Sequence, residues 1–309
     1  MKSTTSVETL RAIKHHLRQT GSYESRTVEQ IRRDMEETAR RLPQLEGVRV
    51  RATRIGTLEG EWIIPEAAAG TREEGAILYL HGGGFVSGTC AFYRDLVSRI
   101  ALAAGTPALV VAYRLAPEFP YPAANDDALL AYRWLAENGC GAGRIVLGGD
   151  SVGASLALMT LLSLRDGGEA LPAGAFLLSP HADLVHLDGE SYESRAASDP
   201  TGSRAASERI LRDYLGSRYR EAESLPLLSP LRCSLEGLPP LLVQAGDEEV
   251  LLSDAERLAE RATSAGVSVE LEVWGRMWSV FPFLASHLPE AREAIVHIGS
   301  FVRRRLGVR

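Results

Sequence analysis

Two textures divide the chain. Over about the first 45 residues, apolar positions recur at helical spacing among many charges, around Val7–Gln19 and Val28–Leu42. This predicts two amphipathic helices laid over something else. Two runs follow in which apolar and polar residues alternate, Val48–Ile55 and Leu58–Ile64, parted by Gly56 and Thr57 and closed by Pro65. That is the pattern of a β-hairpin. From residue 75, short apolar runs take over: Ala76–Leu80, Ala108–Tyr113, Arg144–Leu147, Ala175–Leu178, Leu241–Gln244 and Val267–Trp274. Helix-like stretches separate them at 92–104, 122–138, 154–165, 254–265 and 289–305. Strands without a polar face must be covered on both sides, so the alternation predicts an α/β fold, a mostly parallel central sheet with helices on both faces.

The rhythm breaks at about 184–232, rich in Ser, Arg and Glu with one helical pattern near Arg204–Leu215. This insertion and residues 1–45 together predict a helical cap on a core of residues 46–309. The cap would lie over the carboxyl edge of the sheet, where open α/β sheets bind ligands. No internal repeat is present.

Charge and composition narrow the function. The 309 residues carry 34 Lys and Arg against 40 Asp and Glu, a net charge of −6. A nucleic-acid partner wants a basic stripe instead, and the Arg303–Arg305 run reads as the cationic end of a last helix. Cys90, Cys140 and Cys233 are odd in number and lack metal-ligand or CxxC spacing, as expected of reduced thiols. The Ser/Thr-rich start lacks the apolar stretch of a signal peptide, and the most apolar helix candidate, Ala154–Leu164, is too short for a bilayer. The expectation is a soluble cytoplasmic protein with no membrane partner.

The chemistry centres on Gly149-Asp150-Ser151-Val152-Gly153, a G-x-S-x-G. An apolar strand enters it and a helix-forming run leaves, the setting that a nucleophile elbow requires. The strained turn explains the glycines, and the helix N-terminus favours negative charge developing at Ser151. The bland alternative is a serine that merely caps a helix. His81-Gly82-Gly83-Gly84 follows the strand Ala76–Leu80 directly. Its glycines can turn backbone N–H groups outward, so Gly83 and Gly84 are expected to form an oxyanion hole with the N–H of Val152.

With these motifs the chain resembles the bacterial hormone-sensitive-lipase-like carboxylesterases of the α/β-hydrolase fold. The stretches that carry the resemblance are Tyr79-Leu80-His81-Gly82-Gly83-Gly84-Phe85, Tyr113-Arg114-Leu115-Ala116-Pro117-Glu118, Pro122-Ala123-Ala124, Asp126-Asp127 and Gly148-Gly149-Asp150-Ser151-Val152-Gly153. It runs from about residue 28 to 305 and is closest in flavour to the monoterpene ε-lactone hydrolase branch. The resemblance implies that His81 is structural and orients the glycine loop. It also implies that Phe85, His181 and Val280 line the substrate pocket, although His181 is alternatively a satisfied structural histidine. A small apolar ester or lactone is the implied substrate, without metal or organic cofactor, and a homodimer is compatible with the family.

The acid should follow the strand Leu241–Gln244, where Asp247, Glu248, Glu249 and Asp254 are candidates. The resemblance, aligned on the helix Ala255–Ala265, places Glu249 at the acid position, with Asp247 as runner-up. A general base should lie on the loop after the last strand. That loop, 275–282, contains no histidine, and by resemblance the family's histidine falls on Ser279. His287, eight positions on, is the nearest substitute; His297, His15, His16 and His186 have no motif around them. Serine cannot replace imidazole as proton shuttle. Three readings follow: an ester hydrolase severely impaired at Ser279, a binding module that kept the pocket, or a biosynthetic enzyme using the oxyanion pocket for other chemistry.

Overall fold

A strand that is apolar at every position leaves no side for water, and the central strands here are sealed on both. In the computed structural model, which describes residues 4–19, 23–68 and 75–307, eight strands form one sheet. They are β1 (Val48–Ile55), β2 (Leu58–Pro65), β3 (Ala76–Leu80), β4 (Ala108–Ala112), β5 (Ile145–Asp150), β6 (Gly174–Leu178), β7 (Leu241–Gly246) and β8 (Val269–Trp274). Their order is β1-β2-β4-β3-β5-β6-β7-β8. The β1–β2 hairpin joins β4 antiparallel, and all later pairings are parallel.

The helices are α1 (Val7–Gln19), α2 (Val28–Arg41), α3 (Cys90–Ala104), α4 (Ala123–Asn138), α5 (Val152–Asp166), α6 (Ser191–Ser194), α7 (Arg204–Leu215), α8 (Leu252–Ser264) and α9 (Pro289–Leu306). Alternate strand residues feed two separate cores. Leu78 and Leu80 pack with residues of α4, α5 and α8, whereas Ile77 and Tyr79 pack with α3 and α9. The fold is therefore the expected α/β arrangement, with helices on both faces. Among the described residues no helix is long and apolar enough to cross a membrane.

Several boundaries differ from expectation. The strand expected to stop at Leu147 continues through Gly148, Gly149 and Asp150, because those residues pair with β3 and β6. The next helix starts at Val152, immediately after the turn, not at 154. At the other end, Val267 is held in the turn after α8 by its N–H to the Ala262 carbonyl (2.9 Å), so β8 begins at Val269. Within 184–232 the expected helix is α7, capped by Ser203, whose hydroxyl accepts from the Ala206 N–H. The rest of that stretch holds α6 and three 3₁₀ segments, two of which begin with proline.

Register brings the chemistry to one edge. Leu80 pairs with Gly149, Asp150 with Leu178, and Leu178 with Gln244, so the loops after β3, β5, β6 and β7 leave side by side. Helices α1 and α2 lie over this edge. Arg32 of α2 donates to the Val86 and Ala116 carbonyls and to Glu118, Lys14 of α1 pairs with Glu248, and Arg209 of α7 donates to the Tyr23 and Arg26 carbonyls.

The α3–α9 crossing is close enough to test the packing. A Cβ on Gly299 would lie 2.4 Å from the Ala103 carbonyl oxygen. Gly299→Ala should therefore destabilise the fold by about 1–3 kcal/mol, the usual cost of overpacking. Gly143→Ala, which meets open space, should be near neutral. Thermal unfolding of both variants checks the contrast.

Candidate active site

The turn at Ser151 exists because its neighbours lack side chains. Ser151 has φ 52° and ψ −122°, a conformation that costs a non-glycine residue about 1–3 kcal/mol. Its N–H is held by the Leu178 carbonyl (2.8 Å). A Cβ on Gly149 would sit 2.4 Å from the Gly153 carbonyl oxygen, and one on Gly153 would sit 2.1 Å from that of Leu80. Both glycines of the motif are thus sterically required. Ser151 stands at the N-cap of α5, yet its hydroxyl caps no N–H. It lines a cavity of about 390 Å³ instead.

The glycine loop is pinned to the elbow by Asp150, a residue for which sequence reasoning gave no role although it lies inside the motif. Its buried carboxylate accepts from the Gly82 N–H (2.9 Å), the Tyr79 hydroxyl (2.9 Å) and the Tyr93 hydroxyl (3.1 Å). Burial pushes this carboxyl up to about 6, against the pull of the three donors. His81 is buried between the rings of Tyr113 and Tyr93, at 4.2 and 5.2 Å. Its Nδ1 lies 2.8 Å from the Gly82 carbonyl, which can only accept, so Nδ1 carries the proton. Burial drives the ring down to about 4 and keeps it neutral. The N–H groups of Gly83, Gly84 and Val152 find no backbone acceptor among the described residues, and Gly83 and Gly84 border the cavity beside Ser151.

Glu249 is fully buried. Its Oε2 accepts from the Gly246 N–H (2.9 Å) and from the Ser179 hydroxyl (2.8 Å), whose own oxygen accepts from the Val280 N–H (2.9 Å). Its Oε1 has no partner among the described residues. Burial, reinforced by Asp199 and Asp254, pushes the carboxyl up to about 8, so it is largely protonated at neutral pH. Asp247 is placed differently: it accepts the Arg276 N–H in the turn after β8 and is absent from the cavity lining. Asp254, raised to about 7 mainly by burial, accepts the N–H groups of Ala182 and Asp183 and so fixes the loop that carries His181.

Ser279 and Val280 line the cavity with Ser151, and Val280 holds a left-handed backbone at φ 52°. His181 is the histidine found there; burial drives its ring down to about 4, and its Nε2 has no partner among the described residues. One expectation is corrected. Phe85 is fully buried and stacked on Tyr214 with centroids 3.7 Å apart, outside the cavity lining. His287, named only as the nearest substitute for the base, is exposed and also lies outside it. His297 is bonded to Glu272 at 2.8 Å. Ser179 was missed altogether, since nothing local marks a hydroxyl that meets an acid 70 residues on.

Apolar side chains close the cavity from above, among them Leu17 of α1, Ile31 and Met35 of α2, and Ile210 of α7. Among the described residues no His, Cys, Asp and Glu side chains are grouped to hold a metal ion. A hydroxyl on a strained turn, in a mostly apolar cavity that Gly83 and Gly84 also border, is an arrangement suited to attack on a carbonyl.

Comparison with known proteins gives the same picture. Residues 77–283 match a family described by the α/β hydrolase fold. The chain is 43% identical over 255 residues to an acetyl-hydrolase of Streptomyces hygroscopicus, covering 82% of each. It is 35% identical over 271 residues to an esterase of Acinetobacter venetianus, covering 88% of this chain and 87% of that one. A solved esterase from the bacterial hormone-sensitive lipase family superposes with a TM-score of 0.89 at 39% identity, covering 98% of this chain and 100% of that one.

The protonated state of Glu249 has a consequence for stability. A carboxyl at about 8 in the fold, against about 4.5 unfolded, holds its proton more tightly when folded. Its contribution is therefore full below about 4.5 and is lost as pH rises through 8. Glu249→Gln, neutral throughout, should raise Tm by several degrees at pH 8 to 9 and change it little near pH 5. Thermal unfolding of both proteins across this range gives the comparison.

Proposed function

The chain belongs to the α/β-hydrolase fold family, in its bacterial hormone-sensitive-lipase branch, and on that premise we propose that it is a serine carboxylesterase whose turnover is curtailed at Ser279. The observation that carries the reading is Ser151: a hydroxyl held at positive φ, free of any capping bond, in a cavity bordered by the glycine loop. In the proposed cycle Ser151 Oγ attacks the ester carbonyl, and the N–H groups of Gly83, Gly84 and Val152 hold the oxyanion. The alcohol departs to leave an acyl-enzyme, and water releases the acid.

Glu249 is the acid in this reading rather than Asp247, because Glu249 is bonded through Ser179 to Val280, next to Ser279, and keeps a free Oε1, whereas Asp247 is held by the Arg276 N–H at the start of the loop. Ser279 takes the place of the imidazole. A histidine there would donate to the free Oε1 of Glu249 and accept the Ser151 proton. Without it, neither the attack nor the departure of the alcohol has a proton carrier.

The substrate is a small, fairly apolar ester, as the Leu17, Ile31, Met35 and Ile210 walls favour. Two of the relatives named above are an acetyl-hydrolase and an esterase, which supports a short acyl chain over a lactone. Neither a binding module nor other pocket chemistry draws support from a feature of its own, since the elbow and glycine loop retain an acyl-transfer geometry.

Hydrolysis of p-nitrophenyl acetate by the chain and by Ser279→His tests the reading. Restoring the imidazole should raise kcat by roughly 10³–10⁶-fold, the range over which loss of a triad member is felt, and Ser279→Ala should remain as slow as the parent. Equal rates in all three proteins would overturn it.

A further inference from the structure

The cavity is apolar where α1 and α2 cover it, but the loop after β6 and the segment leading into α7 add His181, Thr201, Ser203 and Ser207 to its lining. Two of these four are committed within the protein. The Thr201 hydroxyl donates to Asp199 (3.0 Å), and the Ser203 hydroxyl caps α7 and bonds to Glu24. His181 differs. Its ring is only 1% exposed, its Nε2 has no partner among the described residues, and burial and the charge of Asp183 are all that act on it. By contrast His81, His186 and His297 each have a ring nitrogen bonded, to Gly82, Asp183 and Glu272. The main chain of His181 is firmly held: its N–H reaches the Ser151 carbonyl (3.4 Å), and its carbonyl accepts from the Ser155 hydroxyl. The ring is thus fixed beside the nucleophile while its nitrogens stay uncommitted. Tyr192 packs near it, with ring centroids 6.3 Å apart. The Ser207 hydroxyl stands close to that of Tyr192, yet the buried Tyr192 oxygen has no partner within hydrogen-bonding distance among the described residues. Unmatched polar groups gathered in one buried place are rare in folded proteins.

We infer that His181 and Ser207 form a polar subsite in the cavity wall, and that it selects esters carrying a hydroxyl close to the scissile carbonyl. The inference rests on the esterase reading above and narrows its substrate class. Burial keeps the His181 ring neutral at physiological pH, so it offers one donor and one acceptor, as a serine hydroxyl also does. A substrate hydroxyl is the matching group, because it can donate to one of the two and accept from the other. It has to lie near the reacting carbonyl, since a backbone hydrogen bond joins residues 151 and 181. The rest of a small ester meets the apolar side chains of Leu17, Ile31 and Met35. An ester without the hydroxyl leaves the subsite unmatched, and that difference is the source of the selectivity.

The test compares ethyl butanoate with ethyl 3-hydroxybutanoate and 2-hydroxyethyl butanoate, which place the hydroxyl on the acyl and the alcohol side. Dissociation constants come from ligand-observed NMR on the chain, and kcat/KM for the same esters from Ser279→His. One hydroxy ester should be preferred about 5–10-fold over ethyl butanoate in both measurements, the effect of one well-placed hydrogen bond, and its identity tells which side of the ester the subsite meets. His181→Phe keeps a ring without nitrogen and should abolish the preference. Ser207→Ala, a smaller change to the fold, should weaken it, whereas His181→Gln, with a donor and an acceptor, should retain part of it. Equal values for the three esters, or a preference that survives undiminished in both His181→Phe and Ser207→Ala, overturns the inference. If Ser279→His still hydrolyses p-nitrophenyl acetate in that case, the esterase reading stands. Should the chain bind none of the esters and Ser279→His be inactive, both readings fall together.

Discussion

The close approach of the first turn of α5 to the end of β3 is the constraint on which the rest of the site depends. Gly153 lies so near the Leu80 carbonyl that a single methyl would collide with it, and this contact sets the helix axis relative to the sheet. Once that is set, Ser151 must take a left-handed backbone to connect β5 with α5. The penalty of that conformation is offset by its bond to Leu178 and by Asp150, which leaves the strand buried among three donors. The elbow and the glycine loop are therefore one unit: the carboxylate that precedes Ser151 also holds the N–H of Gly82. Bulk at Gly149 or Gly153 would displace Ser151 and the glycine loop together.

Buried carboxyls position the other loops in the same way. Asp254 gathers the N–H groups of Ala182 and Asp183, and Glu249 gathers Gly246 and, through Ser179, Val280. Each is pushed upward by burial, and each remains because backbone donors would otherwise be left without partners. The difference between them is completeness. Asp254 also meets Arg257 at 3.1 Å, whereas one oxygen of Glu249 is unmatched among the described residues. A buried acid lacking its last partner is unusual enough in a folded protein to call for an explanation.

What could be read from the sequence was whatever local pattern controls. Fully apolar strands, the glycine spacing around Ser151 and the hairpin at Val48–Pro65 are local, and the sheet contains all of them. Strand ends were harder. Gly148, Gly149 and Asp150 look like a turn, but two neighbouring strands hold them extended. Side-chain partnerships between loops were not legible. Ser179 has no motif, and its role arises only where the ends of β6 and β7 stand side by side. Phe85 illustrates the reverse error: next to the glycine loop in sequence, it turns at φ 62° into the core to stack on Tyr214. Adjacency along the chain did not give adjacency to the cavity.

Strain offers a further argument about the loop after β8. Val280 is β-branched, and such residues seldom adopt a positive φ; it is kept at 52° by the bond between its N–H and the Ser179 hydroxyl. That bond belongs to the same chain of contacts that fixes Glu249, so the loop and the acid hold each other in place. A serine at 279 makes no use of this alignment, because it cannot complete a hydrogen-bonded path from a buried acid to Ser151 in the way a ring with two nitrogens can. In the proposed esterase reading the proton carrier is missing, and burial, with Asp199 and Asp254 nearby, holds the acid largely protonated. In that reading an imidazole side chain at 279 would answer both, since a ring that becomes positive beside Glu249 favours the ionised carboxylate that in turn stabilises it.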